Sequence, residues 1–158
     1  MTNNDIIRRL RYAFEFNDEQ MIEIFAMAEH KVTRAQVTDW LKKDDDAQFK
    51  ELSDKELAIY LNGFINSRRG KKDGPQPNPE EELTNNIILR KLKIALNLID
   101  EDIIEILIVG GSKISKHQLS AFFRKPKHTK YMVLQNQLLR NFIKGLQLKY
   151  RADSPYKF

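Results

Sequence analysis

No cysteine occurs among the 158 residues, which removes disulfides, thiolate zinc sites, iron–sulfur clusters and cysteine nucleophiles from consideration. A chain without disulfides suits a reducing cytoplasm, the compartment expected here. Long apolar runs are missing too: no stretch reaches the roughly 18 residues of a membrane helix, and the segment from Met1 to Arg11 carries charges where a signal peptide would need its apolar core. No membrane partner is expected. Glycine is scarce, with six in all, and there is no glycine-rich phosphate loop, nucleophile elbow or metal motif. The three histidines, His30, His117 and His128, have no carboxylate at ligand spacing and read as exposed loop or helix residues. Neither enzymatic activity, nor a cofactor, nor a small-molecule substrate is expected.

What is present is a duplication. A shift of 82 residues lays residues 2–69 on residues 84–151 without a gap. Thr2-Asn3-Asn4 recurs as Thr84-Asn85-Asn86, Asp18-Glu19 as Asp100-Glu101, and Ile22-Glu23-Ile24 as Ile104-Glu105-Ile106. Arg8/Arg90, Lys31/Lys113, Gln36/Gln118 and Gly63/Gly145 carry the register onward. The expected organisation is a first helical repeat at 1–69, a linker at 70–82 rich in proline, glycine and charge, a second repeat at 83–151 and a tail at 152–158. The Pro-rich linker favours a semi-extended backbone that lets the halves sit apart or fold back on each other. A lone half is near the size at which burial is marginal, so packing of the halves, or dimerisation, is expected.

Helical periodicity runs through both copies. Ile6, Ile7, Leu10, Ala13 and Phe14 make one apolar face, matched by Ile88, Leu89, Leu92, Ala95 and Leu96. Asn17-x-x-Gln20, Thr33-x-x-Gln36, Ser53-x-x-Glu56 and Ser115-x-x-Gln118 read as capping boxes that start further helices. The last helix of the second copy is expected from Leu134, or from near Tyr131, to Tyr150. No alternating run supports a strand. The fold class is therefore all-α, two tandem homologous helical domains of about four helices each. The second and third helices are helix-turn-helix-like, with Val32, Val37 and Trp40 (Ile114, Leu119 and Phe122) at the spacing of the turn and recognition helix. The connection is about three residues too long for the usual tight turn, which leaves an ordinary helical hairpin as the alternative.

Two paired features invite a structural reading. Gly63 and Gly145 lie inside the last helix of each copy, where glycine costs roughly 1 kcal/mol relative to alanine, so a close helix crossing is expected at both. Glu19/Glu23 and Glu101/Glu105 share a helix face at i and i+4; as cation ligands they bring too few oxygens. The expected roles are Glu19 or Glu101 at the helix start and Glu23 or Glu105 paired with Arg8 or Arg90.

Charge separates the copies. Residues 1–82 hold 13 Lys+Arg and 17 Asp+Glu, whereas residues 83–158 hold 14 and 5. From Ile106 to Ala152 there is no acidic residue. Basic side chains in such a window have few internal competitors for phosphate, and they release counterions when they meet a polyanion. The candidate nucleic-acid-binding residues are Lys113, Lys116, Arg124, Lys125, Lys127 and Lys130. In the first copy Asp44-Asp45-Asp46 makes the corresponding loop self-neutralised; the second copy reads Pro126-Lys127-His128. Phe122, Phe123 and Tyr131 interleave with these charges and either stack on nucleic-acid bases or, as is commoner for aromatics at helical spacing, belong to the core.

The opening residues 2–13, the segment Val37-x-x-Trp40-Leu41-Lys42-Lys43, Leu61-Asn62-Gly63-Phe64-Ile65, and residues 139–147 of the second copy resemble the bacterial YehS proteins, domain of unknown function 1456. The resemblance covers nearly the whole chain and implies a small cytosolic bacterial protein with two copies of this domain. It implies no activity and carries over no catalytic residues. The expected function is non-enzymatic: binding of nucleic acid or another polyanion through the basic second repeat. The alternative is a protein-interaction adaptor or self-associating protein, with the halves or two chains packed and the basic side chains buried or paired.

Overall fold

Thr2, Asn17, Thr33 and Ser53 each hold an extended backbone and turn a side-chain oxygen to the backbone N–H three residues on, while the side chain of that third residue returns a bond to the cap. Orphan donors at four helix starts are thereby satisfied. The helices that follow are α1 (Asn3–Phe14), α2 (Asp18–Met27), α3 (Arg34–Leu41) and α4 (Asp54–Arg69), repeated as α5 (Asn85–Leu96), α6 (Asp100–Val109), α7 (Lys116–Phe122) and α8 (Asn136–Tyr150). The computed structural model describes residues 1–155, and no strand occurs among the described residues. Of the tail expected at 152–158, residues 156–158 lie outside the described residues.

One correction concerns α8, which starts at Asn136 rather than at Leu134 or near Tyr131. The residues before it are claimed by a buried asparagine. Asn86 Nδ2 donates to the carbonyls of Phe122 (3.0 Å) and Met132 (2.8 Å), and its Oδ1 accepts from Leu134 N (2.9 Å). Asn4 makes the same three bonds, to Trp40 O, Lys50 O and Leu52 N. Each asparagine therefore ties the end of the third helix and the following loop to the first helix. Asn86→Ala leaves two carbonyls and one N–H short of a partner at a site only 3% exposed. We expect it to cost on the order of 3 kcal/mol, seen as a lower urea midpoint at unchanged slope; an unaltered midpoint would show that water replaces the side chain.

The helices of one copy do not close on themselves. α1 packs chiefly on α8, and α5 chiefly on α4; α2 lies on α4, and α6 on α8. At the 82-residue register the two junctions are the same pair, first helix against last, each made across the copies. The halves thus exchange helices as an approximate two-fold would, and one continuous core takes Ile7 and Leu10 of the first copy together with Leu89, Leu92 and Phe142 of the second. The linker is pinned along this assembly. Gln76 accepts from Asn66, Glu80 pairs with Lys91 at 3.0 Å, Glu81 with Lys55, and Leu83 N donates to Asp54.

Gly63 and Gly145 set the α2–α4 and α6–α8 crossings. A Cβ on Gly63 would stand 1.8 Å from the carbonyl oxygen of Ile24, and one on Gly145 would stand 2.1 Å from that of Ile106. Both expected close crossings are present.

Candidate nucleic-acid interface

Helix α7 is short and lies at the edge of the second copy. Its buried side, Leu119, Ala121 and Phe122, is set by the core, which leaves Lys116, His117 and Ser120 facing outward. The six candidate basic residues fall at its two ends. Lys113 and Lys116 lie at the start, and Arg124, Lys125, Lys127 and Lys130 lie in the loop that leads to α8. Lys113, Lys125, Lys127 and Lys130 are exposed, and none makes an ion pair among the described residues.

Lys116 is different. It bridges to Glu101 on α6, and the carboxylate raises the lysine pKa while the lysine lowers that of the glutamate. The first copy forms the same bridge, between Arg34 and Glu19. Glu19 and Glu101 stand in the first turn of their helices, as expected, and also brace the third helix. The expected pairing of Glu23 or Glu105 with Arg8 or Arg90 is corrected, because the two arginines bond elsewhere. Arg8 donates to Lys42 O at 2.5 Å and pairs with Asp5 and Asp44; Arg90 donates to Phe123 O at 3.0 Å. The reach from α1 favours the carbonyls at the end of the third helix, where a cation also meets the negative end of the helix dipole.

Arg124 is half-buried, and its Nε is buried without a hydrogen-bond partner. One of its terminal nitrogens, Nη1, lies 3.4 Å from Nε2 of His128, while His128 Nδ1 accepts from Lys130 N at 3.0 Å. With Nδ1 as acceptor, the neutral ring carries its proton on Nε2, so two N–H donors converge with no acceptor between them. An anionic oxygen fits that gap chemically. The first copy fills the corresponding place internally: Lys42 Nζ meets Asp39 at 3.0 Å and Gln48 at 2.6 Å, and Asp46 accepts from Gln48 N as His128 does from Lys130 N.

The aromatic residues divide. Phe122 is 2% exposed and, like Trp40, belongs to the core, so it cannot stack on a base. Phe123 is half-buried beneath the Lys93 ammonium, 4.5 Å from its centroid. Tyr131 is half-buried beside the loop. Among the described residues, no group of three or more histidines and carboxylates is placed to hold a metal ion, and no helix is long and apolar enough to cross a membrane.

The family described as "Protein of unknown function (DUF1456)" matches this chain twice, at residues 3–70 and 85–152. Over 147 residues the chain is 36% identical to the uncharacterized protein YehS of Escherichia coli (strain K12), a match that spans 92% of this chain and 94% of that protein. No solved structure matches it.

Proposed function

The chain belongs to the DUF1456 family of proteins of unknown function, and we propose that it is a non-enzymatic nucleic-acid-binding protein whose second copy presents the contact surface. The observation that carries this reading is the loop after α7. Lys125, Lys127 and Lys130 are exposed without carboxylate partners among the described residues, beside the convergent donors of Arg124 and His128. A phosphate backbone supplies the acceptors this loop lacks. Against an adaptor role stands the choice of residues at the junctions. Charge pairing there uses Arg151 with Glu15 and Lys91 with Glu80, leaving the loop cations outside the packed interface.

The test is binding of the full chain to a labelled oligonucleotide across a salt series. Affinity should fall steeply with salt, each neutralised phosphate adding roughly 0.7 to 0.9 to the log–log slope. Replacing Arg124, Lys125 and Lys127 together by serine should weaken binding and flatten that slope, while serine at Lys42 and Lys43 should change little. Absence of binding by the unaltered chain at low salt would reject the reading, and equal losses from the two sets would shift it to a symmetric two-module reader.

A further inference from the structure

The junction between α4 and α5 leaves a groove of about 700 Å³, walled on its third side by the linker. Ile65 of α4 with Ile87 and Ile94 of α5 give it an apolar lining, Arg69 and Arg90 line it as well, and the linker side brings Asp73 and Glu80, the latter paired with Lys91. Both arginines are exposed, and neither makes an ion pair among the described residues. On α4, Asn62 Oδ1 accepts from Lys91 Nζ at 2.5 Å, and Asn66 Nδ2 donates to Met27 O and Gln76 Oε1. That leaves an amide donor on Asn62 and a carbonyl acceptor on Asn66, one helical turn apart along the groove wall.

At the equivalent junction, α8 against α1, the two corresponding arginines are both engaged. Arg151 stands where Arg69 does; it covers the Tyr12 ring at 3.9 Å and is bonded to Tyr12 O, Glu15 and Asp153. Arg8 stands where Arg90 does and is held by Asp5 and Asp44. In the second copy those two carboxylates are Ile87 and Pro126. Substitution has therefore stripped Arg90 of both counter-charges and put an apolar side chain in the groove lining. Arg90 also touches the basic loop, since its guanidinium donates to Phe123 O, one residue before Arg124.

We propose that this groove holds an unpaired nucleotide of a single-stranded nucleic acid whose backbone continues from the 124–130 loop across Arg90. The inference rests on the nucleic-acid reading of that loop and adds the class of strand. Arg90 and Arg69 take phosphate, the isoleucines pack against the base face, and the free amide groups of Asn62 and Asn66 meet its edge. Paired bases stay stacked inside a duplex and do not reach the floor of a cleft between two helices, whereas a splayed strand presents both base face and edge.

The test compares a fluorescein-labelled oligo-dT with a duplex of the same length, both binding the full chain at low salt and read by anisotropy. Arg69→Gln with Arg90→Gln should weaken oligo-dT binding about tenfold and leave duplex binding unchanged. Lys125→Ser with Lys127→Ser should weaken both. Because Arg90 also bonds to the end of α7, Arg69→Gln alone serves as the variant without a structural contact and should show the same selective loss at smaller size. Groove variants that leave oligo-dT binding intact, or that weaken duplex equally, would overturn the groove assignment while the loop variants keep the nucleic-acid reading standing. If the unaltered chain binds neither probe, both fall together.

Discussion

Gly145→Ala should destabilise the protein by about 3 kcal/mol, against the direction that helix propensity alone dictates. Alanine is the better helix former by roughly 1 kcal/mol, so an unpacked glycine in the middle of α8 would yield a more stable variant. The new methyl would meet backbone instead. It would stand 2.1 Å from the Ile106 carbonyl oxygen and 2.9 Å from its carbon, atoms that can move only by shifting α6 as a unit. Gly63→Ala meets the same obstacle at Ile24, 1.8 Å away. Gly110 adds a second point on the α6–α8 crossing, where a Cβ would lie 1.9 Å from Asn141 O. The first copy carries Ala28 at that position, so the second copy's crossing is the closer one there. Urea midpoints of the three alanine variants, each read beside the unaltered chain, settle the point, and a raised midpoint for Gly145→Ala would rule out the packing account.

That crossing was legible because both copies bear the same cost at the same place. The capping boxes were legible for a similar reason: the cap and its reciprocal partner lie three residues apart, within one local pattern. Asn4 and Asn86 were not recognised, although Thr-Asn-Asn opens both copies, because their partners Trp40 O and Phe122 O are 36 residues away. The bridge from Glu101 to Lys116 was missed although Glu19 and Arg34 repeat its spacing; a periodicity argument looks along one helix face, and these residues belong to two helices. As a result Lys116 is a weaker member of the candidate interface than its four exposed neighbours, its charge being partly spent on Glu101. Arg69 and Arg90 were beyond reach for a different reason. Their surroundings depend on which copy supplies the helix alongside, and an apolar stripe such as Ile88, Leu89 and Leu92 does not name the helix that covers it.

Separating the halves should abolish folding of each as a monomer. A fragment of residues 1–82 keeps α1 but loses α8, the helix that covers most of the apolar face formed by Ile6, Ile7, Leu10 and Ala13; residues 83–158 keep α5 but lose α4. The contacts that remain between α1 and α4, or between α5 and α8, are slight. A piece of this length buries about 60% of its unfolded surface even when it closes a core of its own, and here one wall of that core is absent. Each fragment alone should therefore show weak helical circular dichroism and no cooperative melt. Mixing the two in equal amounts should restore both, because the two junctions reform without the linker. A fragment can also pair with a second copy of itself, first helix on last, and its stability then rises with protein concentration. A fragment that melts cooperatively as a monomer, at a temperature independent of concentration, would show that the exchanged helices are dispensable and that each copy is a domain in its own right.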